Sequence, residues 1–252
     1  MKLKKYTVHI AVLLLFSCTA TYNLQSSDSE TIEIKSIADS NALAIISPYQ
    51  KGIEAEMNEV LCFSEMEMKK GKPESLLGNF VTDLCLNYAE AEICIMNNGG
   101  LRSTLPKGNI TRGDIYTLMP FDNELVILEL NKSEFEGMLE YIVSRGGEPF
   151  SGMIVIMSHD NKLIDYLEPA SVDFSNGGKI RVLTSDYLAN GGDKMWFFKD
   201  KEQNKVGIKL RDAIINYCKS QKTISSKLDS RLVKMKKTEL IEIIEWRVED
   251  TL

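Results

Sequence analysis

The chain has 252 residues, with 30 Lys and Arg against 36 Asp and Glu and a net charge of −6. That length supports a sizeable hydrophobic core without a disulfide staple or structural metal, and 44% hydrophobic with 26% charged residues is a globular balance. The acidic excess argues against a binder of nucleic-acid polymers, and two histidines, His9 and His159, are too few for a His-rich metal centre.

Lys2, Lys4 and Lys5 precede an apolar run from Val8 to Phe16 that only His9 interrupts. The run is far shorter than the roughly 20 residues of a membrane-spanning helix, and it has the form of a secretory h-region. Leu15-Phe16-Ser17-Cys18 then resembles a bacterial lipobox. The expectation is a lipoprotein signal peptide over 1–17, cleavage before Cys18, and a lipid on the Cys18 thiol. Residues 18–41, polar and rich in Ser, Thr and Asp, are expected to be the linker from that lipid anchor. No later apolar run is long enough to span a bilayer, so the body is expected to be soluble and tethered in the bacterial cell envelope, periplasmic or surface-exposed. The body is expected over 42–232, with a charged C-terminal tail over 233–252.

Leu43, Ile46, Ile53, Met57 and Leu61 have broadly helical spacing over 42–61, with Pro48 a break or first-turn residue. Residues 62–73 are charged and end in the turn Gly71-Lys72-Pro73. Leu76, Leu77, Phe80, Val81, Leu84, Cys85 and Tyr88 mark one helix face behind a Ser75 N-cap. Ile93 to Met96 is a short buried strand, and Glu124 to Leu130 another. Ser133 and Glu136 have capping-box spacing ahead of a helical face at Phe135, Met138, Leu139, Ile142 and Val143. Met153 to Met157 and Lys179 to Thr184 read as strands, and Gly207 to Lys219 as a helix. In the tail, Leu240, Ile241, Ile243, Ile244 and Trp246 alternate with charges. Helices and strands are mixed without regular βαβ alternation, which is an α+β pattern. Cys85 and Cys94 lie in apolar runs and are expected to be buried thiols.

Asn-Gly-Gly occurs at Asn98-Gly99-Gly100, Asn176-Gly177-Gly178 and Asn190-Gly191-Gly192. Such turns admit positive φ and close backbone approach by a ligand. The middle one is expected to be a plain turn between strands. Arg102 follows the first, while Tyr187 and Asp193 flank the third. Each has an ordinary explanation: a solvated cation, a packed ring, a cap. Together, a cation, a carboxylate and an aromatic beside Gly-rich turns suit a polar, ring-bearing ligand.

Six segments in order resemble the 5′-nucleotidase C-terminal domain. They are Glu74-Ser75-Leu76-Leu77-Gly78-Asn79, Met96-Asn97-Asn98-Gly99-Gly100-Leu101-Arg102, Ile110-Thr111-Arg112-Gly113-Asp114-Ile115-Tyr116, Leu118-Met119-Pro120-Phe121, the run from Ser185 to Asp193, and Leu210-Arg211-Asp212-Ala213. The resemblance implies a single α+β domain that supplies substrate recognition. It implies a base held between Phe121 and Tyr187, ribose hydroxyls on Asp193, Asn97 at the base edge, and Arg102 facing a phosphate. Two positions depart from the family pattern. Pro73, beside Lys72, stands where a second phosphate-side Arg is usual, and Asn98 stands where the first Gly of NGGG is usual. The family's catalytic metals sit on a metallophosphatase domain, and no D-x-H, GNH or His cluster occurs in these 252 residues. The chain is therefore expected to carry no catalytic residue, cofactor or metal ligand of its own. Divalent metals are expected on a separate metallophosphatase subunit, and the ligand is expected to be a nucleoside or nucleotide. A stand-alone binding lipoprotein and a degenerate interaction domain are the alternatives.

Overall fold

The computed structural model of this chain describes residues 39–167, 169, 171–236 and 238–239. The signal segment 1–17, Cys18, most of the linker and the tail's Leu240 to Trp246 lie outside the described residues. The chain divides into two compact units, residues 1–45 and 46–252, and the architecture below is that of the second.

Helix α1 (Ser40–Met57) runs through Pro48 without ending there, and none of its residues is buried. It stops short of the expected residue 61, because Val60–Ser64 is strand β1, whose burial pattern places Leu61, Cys62 and Ser64 in the interior. The five-residue strand is too short to show its period against the charged stretch that follows. Helix α2 (Leu76–Leu86) starts where expected: the Ser75 hydroxyl accepts from the Gly78 amide, which satisfies one of the orphan N–H groups of the first turn. Strand β2 (Ile93–Ile95) is buried throughout. Strand β3 (Gly108–Thr111) leads into α3 (Arg112–Leu118), which opens on a capping box between Thr111 and Asp114. Strand β4 is Glu124–Leu130.

Helix α4 (Lys132–Ser144) corrects the expected cap. Its capping box is Asn131 with Glu134, two residues earlier than Ser133 with Glu136. The strand ends at Leu130, so Asn131 occupies the cap position first. Strands β5 (Phe150–Ser151), β6 (Ile154–Met157) and β7 (Leu163–Leu167) follow. The middle Asn-Gly-Gly is a 3-10 turn ahead of β8 (Ile180–Ser185), and a four-residue helix α5 (Asp186–Ala189) comes next. The expected helix over 207–219 is a strand and a helix: β9 (Asn204–Lys209), then α6 (Leu210–Ser220). Gly207 sits at φ +83, which no right-handed helix accepts. Short strands β10 (Thr223–Ile224) and β11 (Leu232–Lys234) close the described chain.

The central sheet has the order β5-β2-β8-β4-β9. Strands β2 and β8 run parallel, while β4 is antiparallel to both β8 and β9. The period-two alternation of β4 divides the core. Leu125 and Ile127 face a cluster with α2, α3 and α6. Val126, Leu128 and Leu130 face a second cluster with Phe135, Met138 and Ile142 of α4 and with Phe197 and Phe198. Cys62, Cys85, Cys94 and Cys218 are all buried free thiols. Two three-stranded sheets flank this body, β10-β1-β3 and β11-β6-β7.

Arg231 secures the late chain to the early one. Its guanidinium donates to both oxygens of Asp83 at 2.8 and 3.0 Å, to Asp229 at 2.8 Å, and to the Phe150 carbonyl at 2.9 Å. The bond from Arg231 holds the Asp229 carboxyl below its ordinary range, against a smaller opposing effect of burial. A depressed folded-state pKa adds stability above the unfolded value, near 3.9, and that stability is lost as pH falls through the folded value. Arg231→Met is expected to cost about 2 kcal/mol at pH 7, since water still reaches the carboxylates it leaves behind. Urea denaturation is expected to show a smaller difference between variant and wild type at pH 3 than at pH 7.

Candidate functional site

The central sheet brings three loops to one edge. Parallel pairing of β2 with β8 points both carboxyl ends the same way, so the turn after Ile95 lies beside the turn after Ser185. The Thr184 hydroxyl reinforces this by donating to the Ile95 carbonyl at 2.9 Å. Antiparallel β4 pairs Leu125 with Ser185, which brings the preceding Phe121–Asn123 loop to the same edge. Between the three loops lies a cavity of about 480 Å³. Asn97, Arg102, Phe121, Tyr187 and Asp193 all line it, with Met119 and Leu210 contributing apolar wall.

Asp193 is the most constrained of these residues. It sits at φ 52, followed by Lys194 at φ 65, both left-handed without being glycine. Its Oδ2 accepts from Asn97 Nδ2 at 2.6 Å and its Oδ1 from the Tyr187 hydroxyl at 3.0 Å. Its backbone carbonyl accepts from the Tyr141 hydroxyl at 2.9 Å. The carboxylate is thus aimed by two loops at once, and each oxygen keeps acceptor capacity for a ligand.

Phe121 and Tyr187 are 43% and 47% exposed, so much of each ring is open to a ligand in the cavity. Both are held from behind. Arg211, 8% exposed, donates to the Met119 and Phe121 carbonyls at 3.4 and 3.3 Å and to the Asp122 carboxylate. Bonds from Arg211 and Lys209 hold the Asp122 carboxyl below its ordinary range. Arg211 also stacks its guanidinium 4.3 Å from the Tyr116 ring centroid. The Asn123 amide donates to Asp186 at 2.9 Å, joining the Phe121 loop to the residue before Tyr187.

Arg102 donates to the Gly99 carbonyl at 3.3 Å and lies 6.0 Å from the Phe121 ring centroid. Among the described residues it has no carboxylate partner, which leaves its fork available to an anion. The two departures from the family pattern lie outside the cavity wall. Lys72 bonds the Arg145 carbonyl and stands 3.8 Å from Glu148. The Asn98 side-chain amide reaches toward the Gly147 carbonyl at 3.4 Å, and its backbone N–H donates to Glu148 at 2.7 Å. Asn98 therefore neither narrows the cavity nor adds a side-chain donor to it.

Several residues of the site carry no signal of their own in the sequence. Tyr141 continues a helical face counted as core, and Arg211 belongs to a segment matched by resemblance without a role. Asp122, Asn123 and Ser185 also line the cavity. Among the described residues, no group of three or more His, Cys, Asp or Glu side chains is placed to hold a metal ion.

The model of the family described as 5′-nucleotidase, C-terminal domain, matches residues 55–200, more than half of the chain. A 5′-nucleotidase precursor from Thermus thermophilus is similar in structure, with a TM-score of 0.68 and 25% identity over 78% of this chain and 43% of that one. An apyrase of Tabanus yao is 23% identical over 81% of this chain and 42% of its own length. A 5′-nucleotidase of Vibrio parahaemolyticus is 22% identical over 62% of this chain and 29% of its own length. The chain spans less than half the length of each.

Two adjacent glycines separate the roles of this turn. A Cβ on Gly191, at φ +86, would meet no atom within 4 Å, whereas one on Gly192 would lie 2.5 Å from the Tyr187 carbonyl oxygen and 2.6 Å from its ring. Gly191→Ala is expected to cost about 1 kcal/mol of backbone strain. Gly192→Ala is expected to cost about 2–3 kcal/mol through overlap. Equal shifts in urea midpoint would contradict the close packing of Tyr187 on Gly192.

Proposed function

We propose, since the chain belongs to the 5′-nucleotidase C-terminal domain family, that its cavity recognises a nucleoside or nucleoside monophosphate. In this reading it is the recognition half of a split, exported 5′-nucleotidase in nucleotide catabolism. The observation that carries the proposal is the convergence of two half-open rings, an aimed carboxylate and a guanidinium without a carboxylate partner on one cavity. Aromatic rings stack on any base, at roughly 1–3 kcal/mol per contact. The Asp193 carboxylate accepts from a ribose diol, Asn97 offers its second amide hydrogen, and Arg102 meets the phosphate.

In this reading the phosphate-cleaving metals sit on a separate metallophosphatase polypeptide, a placement supported by the lack of a D-x-H or GNH run in the 252 residues. Anchoring by a lipid on Cys18, in the periplasm or at the surface, rests on the run Leu15-Phe16-Ser17-Cys18. A single unpaired guanidinium at the cavity favours a second reading, a tethered nucleoside receptor without chemistry.

Calorimetric titration of adenosine into the chain is expected to give a Kd on the order of mM to tens of μM, and Tyr187→Ala is expected to abolish it. No heat at mM adenosine would defeat the nucleoside reading. AMP hydrolysis by a co-exported metallophosphatase is expected to rise when this chain is added. A nucleoside-binding chain that stimulates no such enzyme would leave the tethered receptor and remove the split enzyme.

A further inference from the structure

We propose that Tyr141 is a positioning residue for the recognition of ligand hydroxyls by Asp193, with Arg145 and Glu148 extending the same brace to the Asn97–Arg102 turn. This rests on the reading of the cavity as a nucleoside site and adds a device that the reading does not require. Two consecutive left-handed residues, Asp193 and Lys194, each cost of order 1–3 kcal/mol of strain and persist only where neighbours fix them. The Tyr141 hydroxyl bonds the carbonyl of the peptide that joins them. It comes from α4, whereas Asn97 and Tyr187, which hold the side chain, come from the turn after β2 and from α5.

Tyr141 is itself fixed on both sides. Its ring meets Phe197 edge to face at 5.7 Å between centroids, and the Arg145 guanidinium lies 5.7 Å over it. Tyr141 and Arg145 are four residues apart at the end of α4, which stacks them on one face. Arg145 Nε donates to Glu148 Oε1 at 3.3 Å, and Glu148 Oε2 accepts from the Asn98 backbone N–H at 2.7 Å. Glu148 is only 4% exposed. One polar path thus runs from the Asp193 carbonyl to the Asn98 amide, outside the cavity wall, and ties its two Gly-rich turns to the end of one helix.

A brace that acts through the Asp193 carboxylate serves only ligands that engage that carboxylate. Adenosine carries the 2′,3′-diol, and 2′,3′-dideoxyadenosine lacks both of those hydroxyls while keeping the base and the 5′-hydroxyl. Ligand-observed NMR titration reads Kd values into the mM range for both. Tyr141→Phe keeps the ring against Phe197 and removes one hydrogen bond. It is expected to weaken adenosine about fivefold and to leave dideoxyadenosine unchanged. Equal loss for both nucleosides, no loss for adenosine, or a variant that no longer folds by circular dichroism would each overturn the proposal. Wild-type protein that binds neither nucleoside would remove the nucleoside reading and this proposal together. Wild-type binding of adenosine with an unaltered Tyr141→Phe would remove this proposal alone.

Discussion

The site depends on one residue held in an unfavourable backbone conformation, Asp193. Its left-handed φ is tolerated because three side chains from three segments bond to it: Asn97 and Tyr187 to the carboxylate, Tyr141 to the carbonyl. The same bonds orient Tyr187, whose hydroxyl has to point at the carboxylate and whose ring packs on Gly192. Ring and carboxylate are therefore positioned as one unit. A Phe in place of Tyr187 would supply a similar stacking surface without that coupling.

The sheet explains why those segments meet. A parallel pair next to an antiparallel pair puts two strand ends and one strand beginning on the same edge, and ligands of α/β sheets gather outside such carboxyl ends. Helices on both faces then secure the three loops. α6 contributes Arg211 beneath the Phe121 loop, and α4 contributes Tyr141 beneath the Asp193 turn. The core is divided into two clusters by the alternation of β4, so each helix that steadies the site is itself seated in a separate apolar layer.

Much of this is legible in the residues, and the failures have physical causes. The helix opening at Ser75 and strand β4 show in the sequence because a cap and a seven-residue alternation are local signals. Strand β9 is concealed because Val206, Ile208 and Leu210 continue into α6 without a break in the apolar pattern, and Gly207, whose positive φ rules out a helix, lies inside the strand. The cap of α4 lies two residues from its expected place because Asn131–Glu134 and Ser133–Glu136 offer the same chemistry, and the end of a strand decides between them. Asn97, Arg102, Phe121, Tyr187 and Asp193 stand out through turn chemistry and resemblance. Tyr141, Arg211 and Glu148 act across sequence distances that no spacing rule spans, and they emerge only from the packed fold.

The sheet order has a kinetic consequence as well. Thr184 bonds Ile95 across 89 residues, β1 pairs with β10 through Phe63 and Thr223, and Arg231 reaches Asp83 across 148 residues. Contacts this distant in sequence require large loops to close before they stabilise anything, which slows folding. A chain emerging amino-end first exposes β2 long before β8 is available to cover it. The central strand that aligns the cavity is therefore among the last to arrive, and until then the Asn97 turn, though already beside β5 and Glu148, lacks the Tyr187 and Asp193 side of the cavity.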